Sequence, residues 1–191
     1  MNSDPAAVTE FTVFETALGW MGAAWRGRAL VAFQLAAASR DATERGLRRR
    51  LLLPDIETPE TPLWIAALVQ TVQRYALGER VDFSGVTVDL SGLDPLRRAI
   101  YEDIRTLGFG ETTTYGGLAA KLGRPGAARE VGQAMGANPV PLIVPCHRVL
   151  AAGNRLGGFS APGGADSKLR MLMLEGVRLG PVVEGQASFG F

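Results

Sequence analysis

Three prolines within seven residues, Pro139, Pro141 and Pro145, restrict the fold of this 191-residue chain more than any other feature. Proline fixes φ near about −65° and carries no backbone donor, so the run NPVPLIVPCHRVL is stiff. The preceding segment, AAREVGQAMGA, reads as a helix that stops before Asn138–Pro139, because proline disfavours helical backbone in the residue ahead of it. The apolar VPLIVP should be buried, with Cys146 at its end. Cys146 is the only cysteine and His147 the only histidine. One cysteine cannot make an internal disulfide, and one Cys beside one His cannot complete the roughly four-ligand shell of a structural zinc site. The thiol is therefore either an inert buried hydrophobe or a nucleophile.

A rigid, partly buried thiol beside the only imidazole has the parts of a tuned nucleophile, since the thiolate reacts and a base must take its proton. Neighbours on a strand point to opposite faces. Cys146 and His147 cooperate only if the backbone bends there, or through a bridging water. A thiol protease would draw its histidine from elsewhere in the chain; there is none. A redox role would want a CxxC, also absent. A carboxylate should orient the imidazole, and a Glu on the C-terminal helix could do so.

With 47% hydrophobic and 20% charged residues, the chain can bury a core. No apolar run approaches the ~20 residues of a membrane span. The start, MNSDPAAVTE, lacks a basic region and an apolar stretch. These features predict a soluble cytoplasmic monomer. Residues 1–93 carry net charge −2 and residues 94–191 net +3. From Tyr115 to Arg155 the charges are Lys121, Arg124, Arg129, Arg148 and Arg155 against Glu130 alone. That excess fits either a polyanion site or a solvated basic face.

The pattern predicts two domains. Residues 1–93 read as an α/β unit. FTVFETALGW, WMGAAW and ALVAFQL form a small antiparallel meander with turns at a glycine and at Arg26–Arg28. Asp41 caps a helix, ATERGLRRRLLL, and PDIETPETP is a Pro-rich linker. Thr61 and Pro62 open a helix whose Trp64, Leu68, Val72 and Tyr75 recur at core-facing spacing. VTVDL reads as a short strand. Residues 94–191 read as mainly helical. Asp94 with Pro95 starts LRRAIYEDIRTL, which buries Leu96, Ile100, Ile104 and Leu107. YGGLAAKL, the turn GRPG and AAREVGQAMGA then form a helix-turn-helix, a unit found both in DNA grooves and in ordinary bundles. Its second helix carries little bulk, which favours close approach to another backbone.

PCHRV, preceded by AAREVGQAMGANP and followed by GGFS and a helix ending LEG, resembles the methylated-DNA–protein-cysteine methyltransferases, the O6-alkylguanine-DNA alkyltransferases. The likeness runs from about Asp94 to Gly176. It implies an RNase H-like shape for residues 1–93 and an alkyltransferase domain over 94–191. It also implies a function: stoichiometric transfer of the alkyl group of O6-alkylguanine, with O4-alkylthymine as a second candidate, to Cys146 after the base is flipped from double-stranded DNA. By the same resemblance His147 is the base, acting through a water, Glu175 holds the other imidazole nitrogen, and Asn138 is the hinge between recognition helix and active-site loop. Tyr115, Gly116, Arg124 and Arg129 contact DNA, Arg129 filling the gap left by the flipped base and Tyr115 also donating to the lesion. Val149, Phe159, Ser160 and Lys168 line the base pocket, Lys168 opening the last helix. No cofactor or metal is implied. Some relatives bind zinc in the first domain, which a chain with no second Cys or His should not. The loop GGFSAPGG is longer than in short-looped relatives, and Pro95–Leu96 stand where relatives carry an aromatic and a polar residue. The competing reading is a lesion-sensing or helix-turn-helix DNA-binding protein without chemistry. Lesion sensors of this family lack the cysteine that this chain keeps.

Overall fold

The computed structural model describes residues 9–51 and 60–180; most of the expected Pro-rich linker lies outside them. The meander forms as the alternation requires. Strands β1 (Glu10–Thr16), β2 (Gly19–Arg26) and β3 (Ala29–Ala37) pair antiparallel in the order β1-β2-β3. Gly19 and Gly27 supply the positive φ of the two turns. Both faces of the sheet are covered. On β2, Met21, Ala23 and Trp25 enter the main core, while Ala24 joins Phe11, Ala32 and Leu47 in a second cluster beneath helix α1 (Arg40–Leu51). A bulge between the Ala24–Ala32 and Trp25–Leu30 pairs turns Leu30 back toward the main core.

Two elements depart from the sequence expectation. Helix α1 is capped by Ser39, whose hydroxyl accepts from the Ala42 amide, and Asp41 sits within its first turn. The segment VTVDL is not a strand. It meets β3 in a single parallel bridge, Leu30 with Val88, through Leu30 N–H to Thr87 O and Asp89 N–H to Leu30 O. Turns at both ends stop it: Asp82 bonds the Ser84 amide, Asp89 bonds the Ser91 amide, and each diverts the chain from a ladder.

Helix α2 (Leu63–Ala76) buries Ile65, Leu68, Val72 and Tyr75, with Trp64 packed edge-on against Trp25. Helix α3 (Pro95–Ile104) opens as expected, the Asp94 carboxylate accepting from the Arg97 amide and Pro95 at its first position. It buries Ile100, Tyr101 and Ile104. Strand β4 (Thr113–Thr114) pairs parallel with β5 (Val149–Leu150). Helix α4 (Tyr115–Lys121) is capped by Thr114, and Gly123 and Gly126 turn the chain with positive φ into α5 (Ala128–Gly136). Helix α6 (Gly164–Leu174) closes the described fold. One continuous core runs from Phe14 through Tyr75 and Tyr101 to Met171, so the two halves share their interior. Among the described residues no helix is long and apolar enough to cross a membrane.

Candidate active site

The stiff segment does what its prolines predict. Asn138 sits just past α5, and its side chain ties both ends of the proline-rich loop. Its Oδ1 accepts from the Val140 amide at 3.0 Å and its Nδ2 donates to Val144 O at 2.8 Å. Arg50 of α1 reaches the same loop, donating to Pro139 O at 3.1 Å, and the Phe33 amide donates to that carbonyl at 2.9 Å. The N-terminal half therefore clamps the entry to the loop. At its exit the backbone bends into one 3₁₀ turn, Cys146–Arg148, so the pair does not lie on an extended strand.

Cys146 is 4% exposed and His147 is fully buried. Burial pushes the Cys146 thiol up from its ordinary value, while the Asn138 side chain, the Lys168 charge and the backbone amides of the turn oppose that rise. His147 Nε2 lies 2.8 Å from Glu175 Oε1, and its Nδ1 has no hydrogen-bond partner among the described residues. Burial draws the imidazole below its ordinary range, against the upward pull of Glu175.

Glu175, the C-cap of α6, is shared far more widely than the sequence suggests. Arg148 grips both its oxygens, Nε to Oε2 at 2.9 Å and Nη2 to Oε1 at 3.0 Å. The Tyr75 hydroxyl donates to Oε1 at 3.0 Å, and the Gly110 amide to Oε2 at 3.0 Å. Burial alone would raise this carboxyl, but the bonds from His147 and Arg148 more than offset it and hold it at about 2. Arg148 also donates to Leu107 O at 2.6 Å. Arg148, Tyr75 and Gly110 are the site residues that sequence reading missed. Arg148 was visible in principle: a charged residue ending an apolar run that must be buried needs a carboxylate. Nothing local announced Tyr75 or Gly110.

Cys146 opens onto a cavity of about 870 Å³. Tyr115, Phe159, Ser160 and Gly158 form one wall, and Arg129, Gly132, Gln133 and Gly136 of α5 the other. A Cβ at Gly132 or Gly136 would meet nothing within 4 Å, so this bare face is open rather than packed inward. At Gly157 a Cβ would come within 2.8 Å of the Tyr115 ring, so only glycine lets that ring lie where it does. Ser160 ties the glycine-rich loop to α5 through Gly136 O at 3.0 Å.

Lys168 lies inside α6 rather than at its start. It is fully buried and donates to Val149 O at 2.6 Å and to the Tyr115 hydroxyl at 3.4 Å. Burial lowers it to about 8. Val149 is buried in β5 and is absent from the cavity wall; its contribution is the carbonyl that anchors Lys168. Gly116 and Arg124 are exposed, Gly116 in the first turn of α4 and Arg124 in the turn between α4 and α5. Among the described residues no cluster of His, Cys, Asp or Glu could hold a metal ion.

A lone thiol next to a buried His–Glu pair, opening into a cleft beside a bare helix face, fits a thiol-dependent group transferase. Residues 95–177 match the family described as 6-O-methylguanine DNA methyltransferase, DNA binding domain. A methylated-DNA–protein-cysteine methyltransferase of Mycolicibacterium paratuberculosis is 40% identical over 116 residues, covering 61% of this chain and 68% of the relative. A DNA base-flipping protein of Thermus thermophilus is 44% identical over 107 residues, 56% of this chain and 70% of that protein. A Mycobacterium tuberculosis OGT in complex with DNA superposes with a TM-score of 0.67 at 32% identity, covering 87% of this chain and 93% of that one. The chain belongs to the methylated-DNA–protein-cysteine methyltransferase family.

Proposed function

We propose that this protein repairs DNA by moving the alkyl group of O6-alkylguanine onto Cys146, once per molecule. The observation that carries the reading is the only thiol of the chain, held on a rigid turn beside its base and opening into a cavity walled by α5. The target carbon is hidden in the duplex, so the nucleotide must leave the stack to reach the thiol. Helices α4 and α5 act as the helix-turn-helix that grips DNA, with Gly116 and Arg124 at the phosphates. The first 93 residues form an RNase H-like scaffold for the alkyltransferase domain, residues 94–191.

His147, through a bridging water, takes the thiol proton. The sulfur forms its bond to the alkyl carbon as the carbon–O6 bond breaks, and the electron pair leaves with guanine. Tyr115 donates to the departing anion, and Lys168 stabilises the charge left on the phenol oxygen. Glu175 keeps the imidazole oriented, Asn138 fixes the loop, and Phe159 and Ser160 flank the base. The thioether product has no leaving group that water could displace, so the protein is spent.

Mass spectrometry of Cys146 after exposure to a short methylated duplex tests this. The expected product is a single methyl adduct on Cys146 that plateaus at about one equivalent. Binding with no adduct would support the non-catalytic alternative, and repeated turnover would refute the mechanism.

Lys168 gives the reaction a basic limb. It is cationic below about 8 and neutral above. Its help to Tyr115 is therefore present below that value and lost as the pH rises through it. The single-turnover rate should fall on that basic limb. Lys168→Met should slow the reaction by about tenfold at neutral pH and abolish the limb. A wild-type limb retained in the variant would place the titrating group elsewhere.

A further inference from the structure

The Tyr75 ring is completely buried between Phe83 and Phe109, each with its centroid 6.1 Å away. Phenylalanine would fill that apolar slot equally well. A hydroxyl there must find a partner or cost free energy. Among the described residues its partner is the Glu175 carboxylate, 100 positions along the chain, at 3.0 Å. That carboxylate is ionised and can only accept, so the phenol donates. Burial, with the Glu175 charge adding to it, raises the phenol well above its ordinary value and keeps the proton in place.

Glu175 Oε1 thus has three donors in competition: His147 Nε2, Arg148 Nη2 and Tyr75 Oη. Every donor that shares the oxygen's charge leaves less of it for the imidazole. We propose that Tyr75 is a positioning residue for alkyl transfer: by sharing Glu175 it limits how strongly that carboxylate pulls on His147 and keeps the imidazole a neutral base. The N-terminal half thereby enters the chemistry through one hydroxyl. This rests on the reading of Cys146 as the alkyl acceptor. Burial disfavours the imidazolium, as do the nearby charges of Arg148 in the same turn and Lys168 of α6; among the described residues Glu175 is the group that favours it.

The sign follows. Without the hydroxyl Glu175 attracts the imidazolium more strongly, His147 protonates at higher pH, and the neutral base is lost sooner on acidification. The test compares single-turnover methyl transfer in the full chain, Tyr75→Phe and Phe83→Leu across the acid limb, with melting temperature and duplex affinity measured alongside. Phe83 packs on the same ring and has no polar group with which to bond Glu175. Tyr75→Phe should move the acid limb up by about half a pH unit, making transfer about threefold slower there, with duplex affinity unchanged. Phe83→Leu should lower the melting temperature and leave the limb in place. An unmoved limb in Tyr75→Phe, or the same shift in both variants, overturns the inference while leaving alkyl transfer intact. Absence of transfer in the unaltered chain overturns both.

Discussion

Replacing Cys146 with serine is expected to abolish alkyl transfer while leaving duplex binding nearly unchanged. Serine is almost isosteric, so the 3₁₀ turn and the Asn138 ties to Val140 and Val144 should survive. What is lost is the nucleophile. A thiol becomes thiolate within reach of a buried imidazole, whereas a hydroxyl is too weak an acid for His147, whose basicity burial has already lowered. The bare face of α5 and the exposed turn at Arg124 are untouched. Radiolabel transfer from a methylated duplex and a titration of duplex binding separate the two effects. Methyl transfer by the serine variant would remove Cys146 from its role.

Arg129→Ala is expected to slow repair of duplex DNA by tens-fold or more while barely altering reaction with the free alkylated base. Arg129 stands exposed on the cavity wall with Gly132, Gln133 and Gly136 along one side of α5, and the glycines leave that side unobstructed. Flipping a nucleotide leaves a hole whose cost is a few kcal/mol. A long planar cation can fill the hole and bond the orphaned partner base. At ~1.4 kcal/mol per tenfold, losing even part of that compensation gives the stated slowing. A free base needs no extrusion, so its reaction should not depend on Arg129. Equal losses on both substrates would assign Arg129 to the pocket or the fold.

The parts of this molecule that depend on local rules could be read from the chain. The meander follows from alternation and turn glycines, α3 from Asp94 and Pro95, and the end of α5 from Pro139. Cys146, His147 and Glu175 are picked out by the PCHRV and LEG segments, and the structure joins the last two. Local signals misled where two rules competed. Asp41 suits a cap by residue type, but Ser39 takes that place and Asp41 falls in the first turn. The β-branched residues of VTVDL fit a strand, but the side-chain turns at Asp82 and Asp89 limit it to one bridge. Tyr75 was read as core, which its ring is; its hydroxyl's task is invisible without the partner 100 residues away. The anchor of Lys168 on the Val149 carbonyl is a tertiary contact that no local signal shows.

Because Glu175 gathers donors from α2, from Gly110 and from the active-site turn, its geometry exists only once both halves have closed on each other. A chain still being made, or one that has partly opened, carries Cys146 without that arrangement. Its thiol is then an ordinary exposed one, and His147 has no carboxylate to orient it. For a reagent that is consumed by its first reaction, closure therefore acts as a shutter: it withdraws Cys146 from stray electrophiles in the same step that seats His147 on its carboxylate, and each molecule keeps its single shot for the lesion.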